Sequence, residues 1–282
     1  MSLENPIMYG KCKFIRKGKN MGYNTRYWDN KMERAEQARL HTKVMYEKFG
    51  NEIEQAINNT IEYTDNVEKQ EERTANYPRN IVVDTDSVDA IFKYIRGKTC
   101  VLNFASYLNP GGKFIEGSKA QEECLCHSSF LYNVLKGCTS YYNYNAEHRN
   151  KGLYTNRALY TPNIIFLNDK NETVLCDVLT CAAPNRSALM RYVDVDYKCK
   201  SLSNDTALRD RIAFIRDIVE KNNVDTFIAG AYGCGVFGQA AYNVATLFKK
   251  TFDTTTVQNM VYAIPSKMDE DNYSSFLKVF GV

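Results

Sequence analysis

The segment Asn109-Pro110-Gly111-Gly112-Lys113-Phe114-Ile115-Glu116-Gly117-Ser118-Lys119-Ala120-Gln121-Glu122-Glu123 joins a predicted strand to a predicted helix. Upstream, residues 99–105 form a short apolar run bounded by turn residues, which is typical of a buried strand. Downstream, apolar side chains recur at helical spacing over residues 124–135. Ser118 and Gln121 have the spacing of a capping box, so we expect the helix to begin at Ser118.

Two glycines and two carboxylates give this segment its chemical character. Gly111 and Gly112, the glycine turn, allow positive φ and close approach of a ligand. Glu122 and Glu123 lie in the first turns of the helix, where a carboxylate also simply opposes the helix dipole. A strand, a glycine turn and acidic residues at a helix start together predict a cleft at the strand's carboxyl end, where open α/β sheets bind ligands.

Strands and helices alternate outward from this segment, which predicts an α/β sandwich. Further strands are predicted at 80–83, 161–167, 173–181, 225–231 and 257–264, and helices at 87–96, 205–222, 239–251 and 269–280. Ser87 is the predicted N-cap of its helix, and the polar turn 168–171 makes a hairpin of its two strands. Residues 191–204 are predicted as a surface loop, and the aromatic stretches 141–144 and 154–160 are predicted to pack rather than stack on bases.

The pattern predicts an N-terminal helical extension, residues 1–79, and a core, residues 80–282, which together are expected to form one compact unit. Residues 1–27 have the composition of irregular chain. A helix is predicted over 30–49, with Gly50 ending it, followed by a second helix over 51–59. The polar residues 64–80 are predicted as a solvated loop.

A second glycine-rich segment follows the strand 225–231. The glycine loop, Tyr232-Gly233-Cys234-Gly235-Val236-Phe237-Gly238, precedes a predicted helix, so its backbone N–H groups and the helix N-terminus form an anion cradle. It also fits the Gly-x-Gly-x-x-Gly dinucleotide fingerprint. However, the chain after it is too short for the rest of a dinucleotide-binding fold.

Composition excludes several classes of protein. A net charge of +3 over 282 residues is no strong nucleic-acid signal. No apolar run reaches the length of a membrane span, and the first residues lack the apolar core of a signal peptide. The nine cysteines are scattered, which fits a reducing cytoplasm. The spacing in Cys124-Leu125-Cys126-His127 is too short for a usual zinc site, so we predict no metal.

The segment 109–123 resembles the signature of the microbial-type poly(ADP-ribose) glycohydrolases, in which three glycines and a short spacer precede Gln-Glu-Glu. Lys113 stands where the family has the third glycine. The glycine loop resembles the family's diphosphate-binding loop, and Tyr160, Pro162, Pro184 and Asn185 extend the likeness. The resemblance implies a macrodomain-like three-layer α/β/α sandwich with a mixed sheet and an N-terminal helical extension, in which residues 80–282 are the catalytic core.

The resemblance also implies a function, the hydrolysis of ribose–ribose O-glycosidic bonds in poly(ADP-ribose) on modified proteins, without a cofactor. Glu123 matches the catalytic acid, and Glu122 matches the residue that holds ribose hydroxyls. The other matched positions imply substrate-binding roles for Asn109, Gly111, Gly112, Gln121, Gly233, Gly235, Val236, Phe237 and Gly238.

Two alternatives stay open at the level of sequence. A non-catalytic ADP-ribose reader would use the same pocket, although it would not need both glutamates. A hydrolase of single ADP-ribose modifications would use it as well. The Lys113 side chain has three possible roles here: a solvated turn residue, a phosphate contact, or an obstruction next to the ribose.

Overall fold

The computed structural model describes residues 30–65, 67, 74–193, 196–267 and 270–281. The irregular chain predicted for residues 1–27 lies outside this range, as does part of the predicted loop 64–80. None of the helices described is long and apolar enough to cross a membrane.

A seven-stranded mixed sheet forms the middle layer, in the order β1-β4-β5-β3-β6-β7-β2. The five strands from β5 to β2 are parallel, and β4 is antiparallel to both of its neighbours, β5 and β1. The strands are β1 (Ile61–Tyr63), β2 (Arg79–Val83), β3 (Thr99–Phe104), β4 (Ala158–Leu167), β5 (Thr173–Cys181), β6 (Thr226–Ala229) and β7 (Asn259–Ala263).

Helices cover both faces of the sheet. They are α1 (Lys31–Asn58), α2 (Ser87–Tyr94), α3 (Gln121–His127), α4 (Leu131–Gly137), α5 (Thr139–Glu147), α6 (Arg186–Leu189), α7 (Tyr197–Lys221), α8 (Ala241–Thr251) and α9 (Glu270–Phe280), with two 3₁₀ helices, Phe114–Glu116 and Asn150–Gly152. Side chains of α1 to α5 share one core with one face of the sheet, and those of α7 to α9 share another core with the opposite face.

The alternation of side chains along β3 explains the two cores. Val101 packs with the α1–α5 layer, whereas Cys100 and Leu102 pack with the α7–α9 layer, because successive residues of a strand point to opposite faces. The predicted three-layer α/β/α sandwich with a mixed sheet and an N-terminal helix is therefore confirmed.

Several predicted helix boundaries are wrong. Asp86, not Ser87, caps α2, because its side chain accepts the N–H groups of Val88 and Asp89. The two helices predicted over 30–59 are, by contrast, confirmed as the two parts of α1, which meet at a kink where Phe49 has non-helical angles, one residue before the break predicted at Gly50. The loop predicted at 191–204 gives way to α7 from Tyr197 onward.

The helix predicted to begin at Ser118 begins instead at Gln121. Ala120 is its N-cap residue and provides no side-chain cap. The N–H of Ser118 bonds to the carbonyl of Lys113, so this part of the chain closes a turn and does not start a helix. The capping box fails because the Gln121 amide is bound to β3.

An edge strand that the sequence does not predict lies just before the polar stretch 64–80. This strand is β1. Ile61, Glu62 and Tyr63 pair with the first residues of β4. A three-residue strand leaves too short a pattern for alternation to be detected in sequence.

Candidate active site

Two of the loops that carry predicted site residues follow neighbouring parallel strands. The glycine turn follows β3, and the glycine loop follows β6 beside it. Because the carboxyl ends of parallel strands lie at one edge of a sheet, the two meet there. Tyr232 links this edge together: its hydroxyl donates to the carbonyl of Cys181 at the end of β5, at 3.1 Å, and its ring packs against Phe104, with centroids 5.7 Å apart.

Gln121 holds the end of β3. Its Oε1 accepts the N–H of Phe104 at 2.8 Å, and its Nε2 donates to the Leu102 carbonyl at 2.9 Å and to the Ser87 hydroxyl at 3.1 Å. We predicted a substrate contact for this residue. In the structure both ends of its amide are bound to β3 and α2, so it positions the start of α3 relative to the strand.

Glu122 is buried and held by β3 and the chain after it. Its Oε2 accepts the N–H of Ser106 at 2.7 Å, and its Oε1 accepts Nδ2 of Asn103 at 3.2 Å. Asn103 also donates to the Thr180 hydroxyl on β5, at 3.3 Å. Sequence reasoning missed Asn103, although an amide in the middle of an apolar strand is a signal that a polar partner lies nearby.

Burial controls the ionisation of Glu122. Removal of the carboxyl from water raises its pKa from an ordinary 4.5 to about 8, and the charge of Glu123 adds to the rise. Hydrogen bonds from Ser106 and Asn103 oppose the rise without cancelling it. We expected a helix N-terminus to favour the charged carboxylate, but desolvation dominates at Glu122.

Glu123 has one oxygen that accepts a hydrogen bond and one oxygen that no described residue contacts through a hydrogen bond. Oε1 accepts the backbone N–H of Lys113 at 2.9 Å. No hydrogen bond from any described residue reaches Oε2, and this atom is buried. The protein therefore fixes the carboxyl through one oxygen and leaves the other for a ligand or a proton.

The glycine turn lies directly against both carboxyls. A Cβ on Gly112 would stand 2.5 Å from Oε1 of Glu123 and 2.9 Å from Oε2 of Glu122. A Cβ on Gly111 would stand 2.6 Å from the Tyr132 ring, and φ is positive at both glycines. Glycine is required at both positions, because any side chain would collide with the carboxyls or with the helix layer.

Lys113 departs from the family pattern without disturbing this geometry. Its φ of −112° is not in the left-handed region, so the backbone there does not need glycine. Its side chain is 62% exposed, with Nζ 3.9 Å from Oε2 of Glu116. The side chain therefore turns toward solvent and does not fill the space beside Gly112.

Asn109 shapes the glycine turn through its backbone. Its carbonyl accepts the N–H of Gly112 at 3.0 Å, and its own N–H donates to the Ser106 hydroxyl at 3.1 Å. Its side chain is exposed. The predicted substrate contact of Asn109 stays a prediction.

The three glycines of the glycine loop serve different ends. Gly233 and Gly238 have positive φ, and a Cβ on them would stand 2.8 Å from Cβ of Ala183 and 2.3 Å from Oγ of Ser187. Gly235 has no atom within 4 Å of its Cβ position. The fold requires Gly233 and Gly238, whereas a side chain at Gly235 would meet no atom of the described part of the chain.

An aromatic row runs from the chain after β3 to the glycine loop. Tyr107 and Tyr154 stack with centroids 3.9 Å apart, and Phe237 meets Tyr154 edge-on at 6.2 Å. Val236, next to Phe237, is 87% exposed. Tyr154 has a φ of +63°, unusual for a tyrosine and undetectable from sequence, so its place in this row was missed.

The N-terminal helix α1 packs against the segment that carries the two glutamates. Nε of Arg34 donates to the carbonyl of Gly117 at 2.7 Å, and a Cβ on Gly117 would overlap the carbonyl of Lys31. Nε2 of His41 lies 2.9 Å from the Ser129 carbonyl. The ring of His127, in α3, packs edge-on to Phe114 at 4.6 Å.

Cys124, Cys126 and His127 have different surroundings. The Cys124 thiol donates to the Lys119 carbonyl at 3.6 Å, and the Cys126 sulfur lies 3.3 Å from the Cβ position of Gly111. Within the described ranges, no three His, Cys, Asp or Glu side chains are grouped as a metal site.

Fold and site together define a class, the macrodomain-like α/β proteins with a buried glutamate pair against a glycine turn and a second glycine segment after the neighbouring strand. The family described as microbial-type PARG, catalytic domain, where PARG is poly(ADP-ribose) glycohydrolase, matches residues 24–169, a little more than half of the chain. The chain belongs to this family, as its signature predicted, and is a glycosidase of this type.

Solved structures support the same fold. The chain is similar to a poly(ADP-ribose) glycohydrolase from Thermomonospora curvata, with 23% identity, a TM-score of 0.77, and coverage of 88% of this chain and 100% of that one. The T. curvata enzyme bound to the inhibitor ADP-HPD matches with 22% identity, a TM-score of 0.74, and coverage of 88% and 99%.

A similar structure from a second organism adds a bound nucleotide. The Deinococcus radiodurans enzyme in complex with ADP-ribose matches with 22% identity, a TM-score of 0.71, and coverage of 81% of this chain and 96% of that one. No curated protein matches the sequence.

Proposed function

We propose that this glycosidase hydrolyses the ribose–ribose bonds of poly(ADP-ribose), with Glu123 as general acid and base. The observation that carries the proposal is the position of two buried carboxyls against Gly112, one of which has an oxygen without a hydrogen-bond partner among the described residues. Binding of ADP-ribose and ADP-HPD by the two bacterial relatives supports ADP-ribose as the ligand class.

The reaction needs one working carboxyl. A proton on Oε2 of Glu123 passes to the ribose oxygen of the departing unit as the bond from that oxygen to the anomeric carbon breaks, leaving an oxocarbenium-like centre. The Glu123 carboxylate then takes a proton from water, whose oxygen bonds to that carbon. Glu123 ends the cycle protonated.

Glu122 is suited to binding and not to nucleophilic attack. Both of its oxygens already accept hydrogen bonds, from Asn103 and Ser106, which fixes the carboxyl in place. We propose that the Glu122 carboxyl binds the ribose hydroxyls of the substrate. A retaining mechanism would need two facing carboxyls, whereas here both press on Gly112 from one helix.

The glycine loop takes the diphosphate. Gly233 and Gly238 fix its shape, and Gly235 leaves room for a phosphate to approach the backbone. The helix α8 begins just after the loop and directs its positive end toward it. Exposed Val236 and the aromatic Phe237 pack on the rest of the nucleotide.

The first test measures release of ADP-ribose from poly(ADP-ribose) by the wild type and by Glu123→Gln. Because general acid catalysis contributes roughly 10²- to 10⁴-fold, we expect at least about a 100-fold loss of rate. Affinity for ADP-ribose should stay within a few-fold. Binding without release by the wild type would favour a reader, and release from singly modified proteins but not from polymer would favour the other alternative.

A matched pair of glycine variants tests the diphosphate site. Gly235 and Gly50 both have open space at their Cβ positions, but only Gly235 lies in the glycine loop. We expect Gly235→Ala to weaken ADP-ribose binding at least about tenfold, since the added methyl group blocks close approach of the phosphate. Gly50→Ala should bind normally, and both variants should fold. If Gly235→Ala and Gly50→Ala have equal affinities for ADP-ribose in calorimetric titration, the diphosphate does not bind to this loop.

A further inference from the structure

We infer that Lys113 binds the diphosphate of the departing ADP-ribose unit and thereby favours polymer as the substrate. The inference rests on the proposed function. It concerns the segment that follows β3 and contacts Glu123, not the glycine loop that follows β6.

The geometry brings the departing unit past Lys113. The backbone N–H of Lys113 holds Oε1 of Glu123 at 2.9 Å, so this residue borders the acid directly. An acid must lie within hydrogen-bond distance of the oxygen that it protonates. The ribose that carries this oxygen therefore stands beside Lys113 when the bond breaks.

The Lys113 side chain is available for such a contact. It is 62% exposed, and its partner Glu116 is 58% exposed with Nζ and Oε2 3.9 Å apart. Exposed ion pairs of this length contribute little stability. The ammonium group, on its flexible stem, can therefore leave Glu116 for a phosphate at little cost.

The chemistry of the leaving group makes this contact selective. In poly(ADP-ribose) the departing unit is itself an ADP-ribose unit and carries a diphosphate, whereas a singly modified side chain carries none. A cation attracts phosphate strongly through charge-assisted hydrogen bonds. The contact is remote from the broken bond and equally strong before and during reaction, so it lowers KM and leaves kcat nearly unchanged.

The test compares three variants of the full chain at low salt, with poly(ADP-ribose) as substrate. Lys113→Gln should raise KM for polymer about three- to fivefold with kcat nearly constant, and it should weaken the dependence of KM on salt. Glu116→Gln should change KM by less than about twofold, since the ion pair that it removes is weak. Lys250→Gln, on the exposed end of α8, removes the same charge elsewhere and should match the wild type.

Affinity for free ADP-ribose separates this inference from the proposed function. It should be the same in Lys113→Gln and the wild type, because in the proposed function free ADP-ribose places its diphosphate on the glycine loop and does not contact Lys113. An unchanged KM in Lys113→Gln, or an equal loss in Lys250→Gln, would overturn the inference while release by the wild type still stands. Absence of release by the wild type would instead overturn the proposed function.

Discussion

At the scale of single residues, the two adjacent glutamates differ in how the protein binds them. Both oxygens of Glu122 accept hydrogen bonds from the protein, whereas Glu123 is held through Oε1 by the N–H of Lys113. Adjacent helix positions diverge by about 100°, yet both carboxyls reach Gly112, because that glycine has no side chain to keep them apart. The absence of a Cβ at Gly112 therefore lets both carboxyls lie against the same residue.

The buried Glu122 should cost the protein stability at neutral and high pH. Its pKa rises from 4.5 to about 8, so between these values the folded state binds more protons than the unfolded state. Its favourable contribution is complete below pH 4.5 and is lost as the pH rises through 8. We expect Glu122→Gln to become more stable relative to the wild type from pH 5 to pH 9, by a few kcal/mol at most.

Urea denaturation at the two pH values measures this change. The difference between the two proteins is compared across pH, which cancels the hydrogen bond that the amide loses at either value. A difference that stays constant from pH 5 to pH 9 would mean that Glu122 does not retain its proton in the folded protein.

At the scale of elements, the segment 109–123 is held between β3 and α1. Gln121 binds it to the strand, and Arg34 binds it to the helix through the Gly117 carbonyl. Two buried imidazoles, His41 and His127, occupy the same interface at a ring distance of 6.5 Å. Burial lowers the pKa of both, and that of His127 falls to about 3.

The interface between α1 and α3 should therefore weaken in acid. Between pH 6.5 and about 3 the unfolded state binds a proton at residue 127 that the folded state does not, so stability falls as the pH drops through this range. We expect His127→Gln to lose less stability than the wild type from pH 6.5 to pH 4.5, by about 1 kcal/mol per pH unit. His41 keeps part of the acid dependence in the variant.

Denaturant melts at pH 6.5, 5.5 and 4.5 follow this effect. The Gln side chain cannot titrate, so any lower starting stability from repacking against Phe114 is the same at each pH and does not affect the slope. Parallel curves for the two proteins would show that His127 is protonated in the folded state.

Sequence patterns predicted elements well where they extend over several turns or a full strand. The strands β3, β5 and β7 and the helices α8 and α9 lie within a few residues of their predicted positions. Predicted helix boundaries are wrong where a side chain has a tertiary partner. Gln121 forms hydrogen bonds with β3 and not with the start of its own helix, and Asp86 is the N-cap of α2 in place of Ser87. The aromatic row depends on the positive φ of Tyr154, which no local pattern encodes.

At the scale of the whole molecule, the N-terminal extension and the core share both a sheet and a site. The strand β1 precedes residue 80 yet pairs with β4, and Arg157, the residue before β4, forms an ion pair with Glu62. We propose that the described residues of the extension and of the core form one compact unit, because α1 contacts the segment that carries the glutamates.

The pairing of β1 has a consequence for solubility. Two separate segments cover the edge of β4 that faces away from β5. The strand β1 pairs with residues 158–160, and Ser129 forms an isolated bridge to Phe166 beyond the bulge at 161–164. A sheet edge without such cover recruits strands from other molecules. We expect Ile61→Pro/Glu62→Pro, which breaks the β1 pairing, to form larger species than the wild type in light scattering, and equal masses would contradict this. We therefore expect the short strand β1 to reduce aggregation by covering this edge of β4.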